Sequence, residues 1–370
     1  MKKWKYILVA IALSFLLGCP QPGNVDDDGG TGTEEDGSDD GTGDGGDDAP
    51  VVYLAGRMDL ESGAEVAVQW SGGSRDDLKT GEDYAEGYDI FVSGGRVYTA
   101  GYYENSSGDY VAVLWEDGSG TDLAGGSGDD ASAQAVFVDS SGAVYVGGYK
   151  PDPQLGTVAG YWKDGTWTTL PTDSNSTYNI KVHDIIVSQD TVYAGGHDYT
   201  GGNGYWIPVV WNDGTKEPQD MASAYEDGVV YDIAVDGSDV YAAGRVWDQD
   251  QGQFGAYHAV YWKNGSDTML HDTSYAYAYG IDVYNGDVYV VGEYENTGGD
   301  DVAVVWKNGT PTDLAVNGAA YDIEIASGGD VYAAGYVYED STYKTVYWKN
   351  GTRVDVDSND TFANAVFVEE

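Results

Sequence analysis

Short apolar runs separated by glycine-containing turns follow one another along the chain from residue 51 to its end. The runs are rich in Val, Ile, Tyr and Trp, and Asn-Gly or Asp-Gly pairs stand between many of them. Such runs predict strands joined by hairpin turns, because Asn-Gly and Asp-Gly accept the positive φ angles of tight turns. No stretch of ten residues has a convincing helical period. The pattern therefore predicts an all-β protein.

One phrase, Val-Tyr-x-Ala/Gly/Val-Gly, occurs seven times, and its final glycines are 43 to 48 residues apart. Each copy is followed by a tryptophan in a second fixed phrase. A period of this length, with strand-like content throughout, indicates a repeat architecture and not an ordinary globular core. The glycine and tryptophan of each copy are Gly56 and Trp70, Gly101 and Trp115, Gly148 and Trp162, Gly196 and Trp211, Gly244 and Trp262, Gly292 and Trp306, and Gly335 and Trp348.

Residues 232–270 illustrate one repeat unit. They contain an apolar run at 232–235 (strand A), the repeated phrase at 240–244 (strand B), the tryptophan-containing run at 259–262 (strand C) and a weaker run at 267–270 (strand D). Four antiparallel strands in about 45 residues are typical of a β-propeller blade. Seven units therefore predict a seven-bladed β-propeller of four-stranded antiparallel blades at residues 51–370.

The two ends of the repeat array complement each other. The last strand A, at 365–368, follows the final B, C and D strands, whereas nothing like it precedes Val51. We expect 363–368 to pair beside 51–56, which completes the first blade and removes the open edge that a linear array would expose. The alternative is a linear β-solenoid, which needs capping units at both ends. The other A strands are expected at 89–92, 135–138, 184–187, 232–235, 280–283 and 322–325.

The N-terminus has the features of an export signal. A basic start with three lysines precedes the apolar stretch 7–17, which is too short for a stable transmembrane helix. Leu16-Leu17-Gly18-Cys19 then resembles the lipobox of bacterial lipoproteins, which are cleaved before the cysteine. The resemblance implies a signal peptide at 1–18 and a lipid on Cys19, and hence attachment to the inner membrane, the outer membrane or the cell surface, outside the cytoplasm. A plain secretory signal is the alternative.

Residues 19–50 are expected to be a disordered tether. Eleven acidic and no basic residues lie between Asp26 and Asp48, and all the others there are Gly, Ser or Thr, so this stretch cannot bury apolar surface.

The whole chain has a formal net charge of −46. Without the acids of the tether and the three lysines of the signal, residues 51–370 retain about −38. That charge argues against nucleic acid as a partner, and we expect a monomeric body. Because Cys19 is the sole cysteine, an intramolecular disulfide is excluded.

The connections between strands differ in length in a regular way. The A–B and C–D connections are tight turns, whereas the B–C and D–A loops are longer and vary in sequence. In an up-and-down blade the B–C and D–A loops lie on one face, which we name the loop face, and the turns lie on the opposite turn face. Variable loops on a rigid scaffold commonly carry function. The loop face is therefore the predicted binding face.

Unrepeated aromatic residues and histidines mark one sector of the loop face. Trp206 and Trp247 lie outside the repeat, in the B–C loops of consecutive units. Exposed aromatic rings near carboxylates suit sugars or a peptide partner, although long loops also fold over their own aromatic residues. The candidate ligand-binding residues are Trp206, Trp247, Tyr199, Tyr205, Phe254, Tyr257, His197, His258 and His271.

Candidate sites for metals and for catalysis are weaker. One A-strand position carries an aspartate in four units, and these carboxylates could surround a cation, but hydrogen bonding to neighbouring backbone is the favoured interpretation. The four are Asp89, Asp184, Asp232 and Asp322. The three histidines named above match no zinc motif, so no metal is predicted. Because no catalytic or cofactor motif is present, we predict that the chain is not an enzyme and binds no cofactor.

The phrases Val-Tyr-x-Ala-Gly and Tyr/Val-Trp-Lys-Asn-Gly resemble those of repetitive β-propeller lipoproteins of bacteria. The resemblance covers residues 51–370 and carries over no site residues. Together with the loop face, it leads us to expect a membrane-anchored, extracytoplasmic binding or interaction protein whose ligand is a glycan or a protein. A glycan-active enzyme and a structural surface protein without a specific ligand are the alternatives.

Overall fold

The computed structural model describes residues 49–79, 84–126, 130–172, 180–199, 204–221, 225–249 and 255–370. The predicted signal peptide, Cys19 and the tether up to residue 48 lie outside the described residues and stay predictions. Within the described ranges, no helix is long and apolar enough to cross a membrane.

The regular structure of the described residues is 28 strands in seven antiparallel sheets of four. The strands are β1 (Val51–Asp59), β2 (Glu65–Ser71), β3 (Ser74–Lys79), β4 (Ala85–Ser93), β5 (Arg96–Glu104), β6 (Tyr110–Glu116), β7 (Ser119–Gly125), β8 (Ser132–Val138), β9 (Val144–Asp152), β10 (Gly156–Lys163), β11 (Thr166–Thr169), β12 (Lys181–Ser188), β13 (Thr191–Tyr199), β14 (Trp206–Asn212), β15 (Thr215–Pro218), β16 (Asp227–Asp236), β17 (Asp239–Asp248), β18 (Ala256–Lys263), β19 (Ser266–His271), β20 (Ala276–Tyr284), β21 (Asp287–Glu295), β22 (Asp301–Lys307), β23 (Thr310–Val316), β24 (Gly318–Ile325), β25 (Val331–Glu339), β26 (Thr342–Lys349), β27 (Thr352–Asp357) and β28 (Thr361–Glu369).

Each sheet is one blade with its A strand innermost. Blade 1 has the order β28-β1-β2-β3, and blades 2 to 7 take β4 to β27 four at a time in chain order. In blade 1, Val52 lies opposite Val368 and Ala55 opposite Ala365. The innermost strands of successive blades pack side by side, and β28 contacts both β24 of blade 7 and β4 of blade 2. The predicted seven-bladed propeller and its closure by the C-terminal strand are confirmed, and the linear solenoid is wrong.

The turn face is built from tight hairpins. Every C–D turn has two residues with positive φ, as Asn264 (49°) and Gly265 (84°) illustrate. This geometry matches the twist of the flanking strands and favours Asn-Gly and Asp-Gly. Most B–C and D–A connections are longer, as predicted. The exceptions are Asn317, which alone joins β23 to β24, and residues 340–341, which join β25 to β26. On the turn face, the A–B connections 139–143 and 326–330 are as long as the B–C loop 60–64.

The repeated phrase packs the blades against one another. Each of the seven repeated tryptophans is at most 2% exposed; Trp262, for example, packs among Val230, Val246 and other apolar residues between blades 4 and 5. The repeated glycine leaves no room for a side chain, since a Cβ on Gly244 would lie 1.9 Å from the carbonyl oxygen of Val229. These residues stabilise the ring through apolar burial and close backbone approach.

Strands B and C continue beyond the repeated phrases. β17 includes Trp247 and β18 includes Tyr257, and the two residues pair across the sheet. β13 includes His197 and Tyr199, and Trp206 opens β14. The prediction that these residues lie in B–C loops is therefore wrong. The hairpins extend toward the loop face because the residues after the repeated glycine still find ladder partners on the neighbouring strands.

Buried aspartates connect the blades near the axis. One carboxylate oxygen accepts the N–H of the next residue, and the other accepts an N–H from the innermost strand of the following blade. Asp232 accepts from Ile233 at 2.8 Å and from Ile281 of blade 6 at 2.6 Å. The favoured interpretation of the repeated aspartates, hydrogen bonding to neighbouring backbone, is confirmed. The five interblade aspartates are Asp89, Asp184, Asp232, Asp282 and Asp322.

Blade 6 places its interblade aspartate two residues later than the other blades do. At the usual position it has Gly280, and a Cβ there would lie 2.9 Å from Cα of Asp322. The backbone of blade 7 therefore excludes a side chain at this point. Asp282 makes the connection instead, by accepting the N–H of Ile325 at 2.8 Å.

Blades 1 and 3 have no aspartate at this position and carry Ala365 and Ala135. Between blades 1 and 2, side chains make the connection. Thr99 Oγ1 donates to Oε1 of Gln69 at 3.0 Å, and Asn364 Nδ2 donates to the carbonyl oxygen of Gly87 at 2.9 Å. The interface next to the closing strand is thus hydrogen-bonded in a different way.

Replacing Asp322 with asparagine tests the bond that holds the C-terminal strand. Asp322 accepts the N–H of Val366 in β28 at 2.8 Å, and an amide nitrogen facing that N–H would leave two donors opposed. We expect Asp322→Asn to lower the free energy of unfolding by about 1–3 kcal/mol, measured by urea denaturation. Asp236→Asn, at the exposed end of β16, is the control and should cost less than about 0.5 kcal/mol. Equal losses in the two variants would contradict a role for the interblade bond.

The interblade aspartates also predict greater stability in mild acid than in mild alkali. Burial raises the pKa of Asp282 to about 6 and that of Asp322 to about 7. Since the folded state holds protons that the unfolded chain has lost, this contribution is largest below about pH 4 and declines as the pH rises through these values. We expect a higher melting temperature at pH 5 than at pH 8 in about 0.5 M NaCl, which screens repulsion between surface carboxylates. A melting temperature that is equal or lower at pH 5 would refute this.

Candidate functional site

A β-bulge occurs at the same height in all seven blades. On each innermost strand one extra residue stands between two pairs of the A–B ladder, as Tyr231 does between Val230 and Asp232. Bulges re-aim a side chain and are frequent beside functional sites. The seven bulge residues, which we name the upper ring, are Tyr88, Gln134, His183, Tyr231, Tyr279, Tyr321 and Asn364.

The upper ring surrounds a cavity on the axis of the propeller. All seven of its members line this cavity, which has a volume of about 90 Å³. Four of the interblade aspartates border both this cavity and a larger one of about 250 Å³ on the other side, so their carboxyl groups form its floor. Each A strand runs from a D–A loop to an A–B turn, and the upper ring precedes the aspartates. The cavity therefore lies at the loop-face end of the axis.

The upper ring presents hydrogen-bonding groups without formal charge. It contains four phenols, two carboxamides and one imidazole, all of which donate and accept hydrogen bonds. Burial, followed by the nearby His197, Lys181 and Arg245, holds the pKa of His183 well below its usual range. Burial also raises the pKa of Tyr279 well above that of a free phenol. Uncharged, hydroxyl-bearing ligands match such a set of groups.

A second layer of side chains positions the upper ring from behind. It comes from the residue that follows the repeated glycine of each B strand. His183 Nε2 lies 3.1 Å from Nδ1 of His197, and Tyr279 Oη donates to Oε1 of Glu293 at 2.9 Å. Burial raises the pKa of Glu293 to about 7, although the bond from Tyr279 lowers it. The residues at this position are Arg57, Tyr102, Tyr149, His197, Arg245, Glu293 and Tyr336.

Arg245 joins three blades beneath the loop face. Its Nε donates to Tyr231 Oη at 2.7 Å, and its guanidinium carbon lies 3.7 Å from the centre of the Tyr257 ring. The same carbon is 5.7 Å from the centre of a Trp206 ring in blade 4 and 5.8 Å from that of Tyr277 in blade 6. Arg245 is 7% exposed, and cation–π contacts are stronger where water is excluded. Arg245 thus fixes Tyr231 in the upper ring.

Two of the predicted site residues of blade 4, Trp206 and His197, lie directly behind the upper ring. Their ring centres are 4.9 Å apart. His197 is buried and contacts His183 of the upper ring, whereas Trp206 is half-buried. Tyr199 pairs with Trp206 at the loop-face end of the hairpin, and Tyr205 is half-buried beside it.

Trp247 and Tyr257 form the corresponding aromatic pair of blade 5. Their ring centres are 4.5 Å apart. Gly255 lies against the indole with φ of +74°, and a Cβ there would come within 2.2 Å of Trp247 Cζ2. A glycine is therefore required for this packing. Phe254, predicted to belong to the same group, lies outside the described residues.

His258 and His271 do not border the axial cavity. His258 packs near Tyr225, with ring centres 6.0 Å apart, and its Nε2 is 3.8 Å from Asp248. His271 stacks on Tyr294 of blade 6, with ring centres 4.8 Å apart. Burial lowers the pKa of both histidines. Over the part of the chain that the structure describes, no group of three or more His, Cys, Asp or Glu side chains could hold a metal ion.

Sequence reasoning missed the upper ring, although one signal was present. The residue before the repeated A-strand position is Tyr, His, Gln or Asn in all seven units and is never aliphatic. A polar side chain at every copy of a position within an apolar run marks a place that faces water or a ligand. The identities differ between blades, so the position does not stand out as a repeated letter.

No known protein family and no curated protein matches this sequence. Among solved structures, the fold is similar to the β-propeller domain of the Trilobed protease from Pyrococcus furiosus, with a TM-score of 0.50 and 12% identity over 84% of this chain and 93% of that domain. A putative 6-phosphogluconolactonase from Bacteroides fragilis has a TM-score of 0.43 and 12% identity over 87% and 99% of the two chains. An acylaminoacyl peptidase from Pyrococcus horikoshii has a TM-score of 0.47 and 16% identity over 76% of this chain and 47% of that chain.

The prediction that the chain is not an enzyme depended on the absence of sequence motifs, and it is wrong. A propeller of this fold is a domain of the Trilobed protease. At 12% identity the likeness shows the fold alone and transfers no catalytic residues. The physical reason for the error is that catalytic groups are defined by distance in space, so a chain without a recognisable local motif can still assemble them.

Proposed function

We propose that this protein is a lipid-anchored, extracytoplasmic propeller that binds a glycan on its loop face, with hydroxyl groups of one sugar unit entering the axial cavity. The observation that carries the proposal is the upper ring. Seven uncharged hydrogen-bonding side chains, one from each blade, surround one cavity at the end of the axis. Phenols and carboxamides donate to and accept from sugar hydroxyls, and aromatic rings pack on the apolar faces of sugars.

The distribution of exposed apolar residues supports binding on the same face. In the described part of the chain, the large apolar side chains that are well exposed all belong to B–C or D–A connections or to strand ends beside them. Exposed apolar groups on one side of a rigid scaffold commonly mark an interaction surface. They are Leu60, Tyr84, Leu155, Tyr275, Val316 and Tyr338.

The body begins on the face opposite the proposed glycan site. β1 is a B strand, so Val51 begins on the turn face and Asp59 ends on the loop face. Val51 therefore lies on the turn face, at the opposite end of the axis from the upper ring. The net charge of about −38 on the body argues against nucleic acid as a partner.

A glycan array with the full-length protein tests the proposal. We expect binding to a subset of oligosaccharides, and we expect Tyr279→Phe and Tyr321→Phe each to weaken it about 5- to 30-fold, because each removes a hydroxyl from the upper ring. Tyr284→Phe is the matched control on the same strand as Tyr279, since its hydroxyl donates to Ser327 near the turn face. Its binding should equal that of the wild type.

Other results of the same experiment would refute parts of the proposal. Unchanged binding in both upper-ring variants would place the sugar elsewhere. Binding to peptides and to no glycan would make the partner a protein. New reducing ends released from a bound oligosaccharide would show that the site is catalytic, and they are measured in the same incubation.

A further inference from the structure

A second ring of side chains lines the axis on the turn face. It consists of the residues two positions after the repeated A-strand position, and all of them border the larger axial cavity of about 250 Å³. We name it the lower ring. In blade order from 1 to 7 its members are Phe367, Phe91, Phe137, Ile186, Ala234, Asp282 and Glu324. Apolar and acidic members occupy separate sectors of this ring.

Three adjacent blades supply the aromatic sector. The ring centres of Phe91 and Phe137 are 5.0 Å apart, and those of Phe91 and Phe367 are 4.9 Å apart. All three side chains are only partly buried, so part of their surface faces the cavity. Three phenyl rings around one space resemble the aromatic cages that recognise organic cations, since the faces of aromatic rings carry negative potential.

Glu324 provides the acidic sector next to Phe367. None of the described residues gives its carboxyl group a hydrogen bond or an ion pair. Burial, followed by the charges of Asp282, Asp322, Asp89 and Glu370, raises the pKa of Glu324 to about 9. A buried carboxyl group whose charged neighbours are all acidic lacks a compensating positive charge.

The neighbouring Asp282 is already satisfied. Its two oxygens accept the backbone N–H groups of Val283 at 2.6 Å and of Ile325 at 2.8 Å. Glu324 is therefore the carboxyl group of the lower ring that is left to bind a cation. A hard metal ion needs several oxygen ligands, and no group of three or more metal-ligating side chains occurs among the described residues.

We infer that the lower ring binds a small organic ammonium ion, whose methyl or methylene groups contact the three phenylalanines and whose charge lies beside Glu324. The site is separate from the proposed glycan site, because the layer of interblade aspartates lies between the two cavities. The strongly negative charge of the body raises the local concentration of cations. The inference does not depend on the identity of the loop-face ligand.

Isothermal titration of the full-length protein with tetramethylammonium and with choline chloride tests the inference. NaCl and CaCl₂ at matched ionic strength are the controls. We expect one saturable site for the organic cations and none for Na⁺ or Ca²⁺. Because the bound cation favours the ionised carboxylate, binding should release a proton. The affinity for the cation should therefore increase as the pH rises from 6 to 9.

Substitutions identify the site. Glu324→Gln keeps the shape and removes the charge, and we expect it to weaken binding at least about tenfold. Phe91→Leu and Phe137→Leu should each weaken binding about 3- to 10-fold by removing an aromatic face, and melting curves confirm that each variant is folded. Asp236→Asn, an acidic position near the turn face outside the cavity, should bind as the wild type does.

Three results would overturn the inference. The first is no saturable binding of either organic cation at any pH. The second is equal affinity in Glu324→Gln and the wild type. The third is competition by Ca²⁺ at low concentration, which would assign the carboxylates to a metal. A failure here leaves the glycan array result unaffected, because the two sites lie at opposite ends of the axis.

Discussion

The hydrogen bonds between β28 and β1 determine the rest of this structure. They join the last nine-residue strand to the first one and convert a linear array into a ring. In the closed ring every innermost strand lies between those of two other blades, and the interblade aspartates can connect them. Because the ring is closed, seven equivalent positions are held around one axis. Side chains that are far apart in sequence thereby meet in one cavity.

The bulge on each A strand directs one side chain of each blade toward the axial cavity. A regular strand would point successive side chains at the two neighbouring blades, where they become core. The extra residue of the bulge has no partner in the A–B ladder, so its side chain does not become part of the core between blades. The closed ring places seven such side chains around the axis. The buried second layer, with Arg245 on Tyr231 and Glu293 on Tyr279, restricts the motion of the phenols. Restricted side chains lose less entropy when a ligand binds.

Sequence reasoning recovered the architecture and only the neighbourhood of the site. The repeated phrase, its period and the displaced final A strand were sufficient for blade number and closure, because they depend on local strand and turn preferences. The aspartate position was also interpreted correctly. By contrast, His197, Trp206 and Trp247 were placed in loops, because nothing in the sequence shows how far a ladder continues past its repeated phrase. The bulge residues were missed because the bulge position is Tyr, Gln, His or Asn in different blades, so no repeated letter marks the change of register.

The two ends of the axis have different chemistry although the backbone is nearly the same in each blade. The upper ring is uncharged and rich in hydroxyls, whereas the lower ring divides into phenyl and carboxyl sectors. The loop-face end of the axis is the proposed ligand site. A crystal structure of the full-length protein with the oligosaccharide that gives the strongest array signal tests it most directly. We expect hydroxyl groups of one sugar unit in the axial cavity, hydrogen-bonded to Tyr231, Tyr279 or Asn364. A sugar bound on the outer edge of a blade or on the turn face, with the axial cavity empty, would contradict it.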